Sequence, residues 1–414
     1  MMTNLLKRTF FLTLFLTVSC GVLAEPAKSQ NPFTAADAAK PTSVFDKNTP
    51  RPAQPVMIAT PPNIDAKGYI LMDAYSGKII ASKNPDQRMA PASLTKMMTS
   101  YIVSAALDAK RIHLDDLVPI SKEAWQTGGS KMFVKVGDQV PVRLLMQGMI
   151  VDSGNDACVA LAEFVAGSQD SFVNLMNQQA ALLGMKNSHF MDVNGLPDAG
   201  HYTTPRDMAT LARALVFDFP NDYQWYSQKW FTYNNIRQPN RNRLLWSDPT
   251  VDGIKTGHTD DAGYCLVASA KRKDTRLISV VMGTPSDQSR AADSAQLLTY
   301  GFRFYGSHKL YAAKTPLARA QVMLGQSDRV TVGPKNDIYI TLPVGQDAAV
   351  KTDLALKDPI KAPIKAGDVV GTVRITLHDE QIAEAPVIAL ADVGKGSWWQ
   401  QILDHMDLMI KKII

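Results

Sequence analysis

Three short groups of residues have the types and spacing for acyl transfer: Ser93-Leu94-Thr95-Lys96, Ser153-Gly154-Asn155 and Lys255-Thr256-Gly257. Ser93 and Lys96 stand three apart at the start of a helical pattern, which puts both side chains on one face. A serine hydroxyl is a weak nucleophile until a neighbouring base takes its proton. A lysine can be that base when burial and another cation lower its pKa, and Lys255 is the second cation on offer. A serine at a helix N-terminus also has free backbone N–H groups and the positive dipole end beside it. Both favour the oxyanion formed during acyl transfer.

Singly, each group is weak. Ser-x-Asn occurs at Ser29, Ser82 and Ser153, so two of these are incidental, whereas Ser-x-x-Lys and Lys-Thr-Gly occur only at Ser93 and Lys255. Their weight comes from order and local setting. Ser93 opens a helical run, Ser153 lies at a break between apolar helical runs, and Lys255 precedes a hairpin pattern.

The elements that must position these groups are readable in outline. Two β-rich runs, 68–73 and 78–81, flank Ser76-Gly77 and predict a hairpin. A second hairpin is expected from 264–270 and 277–282 around the charged turn 271–274. Between them, residues 94–107, 144–165, 172–183 and 208–217 carry apolar residues three and four apart. Strands at both ends with helices between predict one α+β domain over 63–305, its sheet built from segments far apart in sequence. From 306 to 395 short alternating runs (329–332, 338–342, 369–377, 386–390) are separated by Gly, Pro and Asp, which predicts a small all-β sandwich domain. Residues 396–414 return to helical periodicity.

The chain's ends carry other signals. Lys7-Arg8, the apolar run from Phe10 to Val18 and Val22-Leu23-Ala24 predict a signal peptide over 1–24, cleaved before Glu25. An uncleaved anchor or lipidation at Cys20 is the alternative, though the apolar run is short for a span of ~20 residues. Residues 25–62, rich in Pro, Ala, Lys and Ser, predict a disordered linker. Removing the signal takes the formal net charge from +5 to +3, too small and dispersed to indicate nucleic acid. Cys158 and Cys265 do not make a disulfide framework and read as buried small hydrophobes. The seven histidines show no ligand spacing, so no metal site is expected.

From about Gly68 onward the chain resembles the low-molecular-mass penicillin-binding proteins that act as D-alanyl-D-alanine carboxypeptidases. The resemblance is carried by Pro91-Ala-Ser-Leu-Thr-Lys-Met-Met98, by Val251-Asp-Gly-Ile-Lys-Thr-Gly-His-Thr259, and by the order of catalytic domain, β domain and terminal helix. It implies a penicillin-binding, β-lactamase-like fold and a serine-type carboxypeptidase that removes the terminal D-alanine from peptidoglycan pentapeptide stems. It needs no cofactor, and β-lactams are expected as covalent inhibitors. By resemblance, Ser93 is the acyl-ester nucleophile and Lys96 its base. Ser153 relays a proton to the leaving group, and Asn155 contacts Lys96 and the substrate amide. Lys255 supplies positive charge, while Thr256 and Gly257 line the peptide-holding strand. Arg290 faces the substrate's terminal carboxylate. Ser130 falls in the family's flexible loop as either a plain turn or a direct contributor. Asn194-Gly-Leu196 departs from members with His before Gly-Leu, and His258 is read as packing beside the third motif.

Other readings separate on specific residues. A class A β-lactamase on this fold deacylates through a Glu between the second and third motifs, and residues 188–207 contain none. A D,D-endopeptidase or transpeptidase shares the first steps and is not separated by sequence. A non-catalytic wall scaffold would be signalled by loss of Ser93, Lys96 or Lys255, and all three are present. No Gly-x-Ser-x-Gly elbow supports an α/β-hydrolase.

In the terminal segment, Trp398, Trp399, Ile402, Leu403, Met406, Met409, Ile410 and Ile413 fall on one face. Lys411-Lys412 suits anionic lipid, and the segment is too short and charged to span. The sequence therefore predicts a periplasmic enzyme bound peripherally to the inner membrane by this helix. A helix packed on the β domain is the alternative.

Overall fold

The computed structural model describes residues 57–411. The expected signal segment, Cys20 and most of the 25–62 linker lie outside them.

Five antiparallel strands form the main sheet: β1 (Gly68–Asp73), β2 (Ile79–Lys83), β3 (Val251–Thr259), β4 (Gly263–Arg272) and β5 (Thr275–Thr284), in spatial order β2-β1-β5-β4-β3. Both expected hairpins form, and β1 pairs β5 with Tyr69 opposite Val281, so chain ends some 200 residues apart make one sheet. Alternation along the strands supplies two cores. Ile70, Met72, Cys265 and Val267 face the helical bundle, while Tyr69, Leu71, Leu266 and Ala268 face the opposite layer.

The bundle contains α1 (Lys96–Asp108), α2 (Asn155–Ala166), α3 (Gln169–Leu182) and α4 (Pro205–Asp218). The apolar run expected over 144–165 divides at the second motif. A helix over Val142–Gln147 widens into a π-turn over Gly148–Asp152, and Ser153 ends it at φ +61° before α2 begins. The opposite layer is α5 (Asp287–Phe304), capped by Ser286, whose hydroxyl accepts from Ser289 N.

The chain after α5 is all-β. A two-stranded sheet (Tyr305–Tyr311 with Ile338–Pro343) and a six-stranded sheet close over one core that includes Val332, Ile340, Val373 and Val387. Asp73 ties this unit to the main sheet. Its Oδ2 accepts from Ser307 Oγ at 2.5 Å and Thr341 Oγ1 at 2.8 Å, and its Oδ1 accepts from Tyr75 N at 2.8 Å. Beside it the rings of Tyr75 and Tyr339 stack with centroids 4.8 Å apart.

A helix over Trp398–Lys411 follows. No helix among the described residues is long and apolar enough to cross a membrane.

Candidate active site

The first motif sits on a strained turn. Ala92 adopts φ +48°, uncommon for a residue with a side chain. It leads into a 3-10 turn over Ala92–Thr95, and the α-helix starts only at Lys96. Two glycines let neighbouring backbone close on this turn. A Cβ on Gly257 would come 3.0 Å from the Pro91 carbonyl oxygen, and one on Gly195 would overlap the Ala92 carbonyl.

The expected pairing of Ser93 and Lys96 is present. Lys96 Nζ donates to Ser93 Oγ at 2.8 Å and to the Asn194 carbonyl at 2.6 Å. Lys96 is 1% exposed, and burial lowers its pKa to about 8. Desolvation is the main cause, with Arg241 acting in the same direction against the carboxylates of Asp192 and Asp156. Of the two expected causes burial leads, and the cation that acts beside it is Arg241 rather than Lys255. Lys255 is itself buried, and burial followed by Lys96, Arg241 and Arg290 depresses its pKa well below the ordinary lysine value. Its Nζ donates to the Thr256 carbonyl at 3.1 Å.

Ser153 is buried, and its hydroxyl has no hydrogen-bond partner. Such an orphan ordinarily costs free energy. Asn155 departs from expectation. Its side-chain amide donates to the Gly128 carbonyl at 2.6 Å and its backbone N–H to the Ser130 carbonyl at 2.7 Å, with no bond to Lys96. Asp156, unremarked in the sequence, accepts from the backbone of Met132 (3.0 Å), Phe133 (2.9 Å) and Val134 (3.2 Å). The second motif thereby holds the 128–134 loop. Gly154 permits this, since a Cβ there would lie 2.8 Å from Asp156 Oδ1.

Thr256 and Gly257 lie on β3, the edge strand beside the turn that carries Ser93. The carbonyl of Gly257 accepts from Arg290 Nη1 at 3.0 Å. Arg290, 6% exposed on the first turn of α5, also pairs with Asp287, which pairs in turn with Arg243. The expected guanidinium is therefore held in place by a carboxylate. His258 packs its ring against Tyr264, centroids 4.0 Å apart, and both cysteines are buried free thiols.

Two residues near Lys96 gave no signal in the sequence: Asp192 and His201. Neither belongs to a motif and they lie nine apart in a loop. Only the fold brings His201 Nδ1 to 3.3 Å from Asp192 Oδ2.

Comparison with known proteins agrees with this geometry. Residues 55–286 match the family model of D-alanyl-D-alanine carboxypeptidases, and residues 305–395 match that of the penicillin-binding protein 5 C-terminal domain. The chain is 46% identical over 361 residues to the D-alanyl-D-alanine carboxypeptidase DacA of Escherichia coli K12, covering 85% of this chain and 90% of that protein. It is 43% identical to DacA of Haemophilus influenzae, covering 85% and 91%. The solved structure of penicillin binding protein 5 from Haemophilus influenzae superposes with a TM-score of 0.78 at 44% identity, covering 81% of this chain and all of that one.

Proposed function

The chain belongs to the D-alanyl-D-alanine carboxypeptidase family and is a serine hydrolase of that activity, and from this premise we propose how its own residues carry the reaction. Ser93 Oγ gives its proton to neutral Lys96 Nζ and attacks the carbonyl of the penultimate D-alanine of a peptidoglycan stem. The tetrahedral oxyanion forms beside the backbone N–H of Ser93, at the open N-terminal end of the 3-10 turn. Collapse expels the terminal D-alanine, whose nitrogen takes a proton passed from Lys96 through the free hydroxyl of Ser153. Water then hydrolyses the acyl ester on Ser93. A β-lactam acylates Ser93 by the same first step.

The remaining residues hold the peptide. β3, with Thr256 and Gly257, pairs with the substrate backbone as an added strand. Arg290 and Lys255 meet the terminal carboxylate, and an arriving carboxylate restores the proton affinity that burial takes from Lys255. Asn155 orients the 128–134 loop over the site, with the substrate amide within its remit once Gly128 moves. Residues 63–305 form the catalytic domain and 306–395 the β domain.

The observation that carries this reading is the 2.8 Å contact of Ser93 with a buried, pKa-depressed Lys96. Mass analysis of products from a pentapeptide ending in D-Ala-D-Ala tests it. Loss of one alanine by the wild type, with none from Ser93→Ala, is expected. Cleavage of cross-linked dimers without loss of alanine from the monomer would indicate an endopeptidase.

The enzyme works in the periplasm, bound to the inner-membrane surface by its last helix. Trp398 and Trp399 support this. They stack on each other and are 61% and 62% exposed, with Ile402 and Leu403 also in the open. Large exposed aromatics suit the headgroup level.

A further inference from the structure

We propose that Asp192 and His201 are positioning residues for the general base: together they fix the Asn194 carbonyl oxygen that orients the amine of Lys96. The proposal rests on the reading of Lys96 as base.

The arrangement is a closed circuit that starts and ends on the first motif. Asp192 Oδ1 accepts from the backbone N–H of Asn194 at 2.8 Å and from that of Gly195, which folds residues 192–195 into a tight turn. That turn aims the Asn194 carbonyl at Lys96 Nζ, 2.6 Å away. Asp192 Oδ2 faces His201 Nδ1, and His201 Nε2 lies 2.9 Å from the hydroxyl of Thr95, the residue before Lys96. The imidazole side chain is 1% exposed, with Phe190 edge-on to its ring. The turn is pinned at two further points. Val193 O accepts from Thr99 Oγ1 at 2.6 Å, and Gly195 at φ +88° lies against Ala92.

The chemistry needs such a fixed acceptor. A neutral lysine amine carries two N–H groups and one lone pair on a nitrogen that turns freely about the Cε–Nζ bond. An acceptor that engages one N–H stops that rotation and leaves the lone pair for the Ser93 proton. Because it is a backbone carbonyl held by a carboxylate, its direction is set before substrate arrives. With Asp192 ionised, His201 carries its proton on Nδ1, and Nε2 accepts from the Thr95 hydroxyl.

Asp192 also acts by charge. The groups that face Lys96 are Asp192 on this turn, Asp156 and the thiol of Cys158 on α2, Lys255 on β3 and Arg241 on the loop before β3. Cys158 is pushed up to about 12 by burial and stays neutral at working pH. Asp192 and Asp156 are thus the two anions that hold a proton on Lys96, so removing the Asp192 charge lets that proton leave at lower pH.

The test uses second-order rates of acylation by a fluorescent penicillin from pH 5 to 10, on full-length variants checked for folding by thermal melting. Asp192→Asn keeps an oxygen acceptor for the turn but loses the charge. Its acid limb should move down by about 0.5 pH unit or more, with a plateau within about tenfold of wild type. Asp192→Ala loses the acceptor too, and its plateau should fall about ten- to a hundredfold. If that variant does not fold, His201→Ala takes its place, with a several-fold plateau loss rescued by His201→Gln. An unmoved limb in Asp192→Asn, or unchanged plateaus in the alanine variant, overturns the proposal while leaving Lys96 as base. A wild-type rate flat across the range overturns the base itself and the proposal with it.

Discussion

At the scale of single residues, Lys96 makes the pH behaviour predictable. Its folded pKa of about 8 lies below the ordinary 10.5, mainly through desolvation. Acylation should therefore rise with pH through about 8 and level off above it, in stopped-flow or gel-based penicillin labelling. Between those two values the unfolded chain holds a proton that the folded chain has released. This group consequently adds to stability as pH climbs through that interval and detracts from it below. Arg290 makes a different prediction. Its guanidinium is tethered to Asp287 and the Gly257 carbonyl, and its proposed role is to meet a planar carboxylate. Arg290→Ala should lose about ten- to a hundredfold on peptides with a free C-terminus, equivalent to roughly 1.5–3 kcal/mol. Amidated peptides, compared by kcat/KM, should lose far less. Equal losses on both would make Arg290 a structural residue.

Among elements, the decisive contact is the 192–195 turn on the nucleophile turn. Gly195→Ala imposes both a left-handed backbone, at a cost of about 1–3 kcal/mol, and a collision with Ala92. Acylation should drop at least about tenfold as the Asn194 carbonyl is pushed off Lys96. Gly184→Ala is the matched control, since Gly184 has φ +76° and open space around its Cβ. It should lower the melting temperature and leave acylation intact.

The same elements show what the chain discloses in advance. Both hairpins of the main sheet announce themselves by β-rich runs around Gly and charged turns, and the Ser93–Lys96 pair by its spacing. β3 does not, because Val251–Thr259 mixes Asp, two Gly, Lys and His in a strand whose residues are chosen for the site. α5 escapes for another reason. Its buried face carries Arg290, Asp293, Ser294 and Gly301 as well as Leu297, Leu298 and Tyr300, so the apolar period is faint. The Asp192–His201 pair and the loop-holding role of Asp156 are invisible until the fold is closed, since each depends on contacts between segments that no local pattern relates. The expected Asn155–Lys96 contact was inherited from the resemblance, and in this chain Gly128 takes the amide instead.

For the whole molecule, the terminal helix is the proposed membrane anchor. It meets the β domain through Asp404, whose carboxylate accepts from Leu324 N, and it leaves Trp398, Trp399, Ile402 and Leu403 uncovered. Deleting residues 398–414 should give a protein that is soluble in fractionation and labels with penicillin at the wild-type rate. A truncated protein that stays with membranes would sink the anchor reading.

Asp73 bears on how the two folded units share that task. Greasy contacts alone would let the β domain sit against the main sheet at many angles of similar energy. A carboxylate that accepts from both Ser307 and Thr341 across the joint is satisfied at one. The joint thus works as a protractor, fixing the direction in which the Ser93 cleft points relative to the strands beneath it. Damage there would show first as an enzyme that binds and reacts normally with small, freely tumbling substrates but is mis-aimed at a polymer it has to meet from one side.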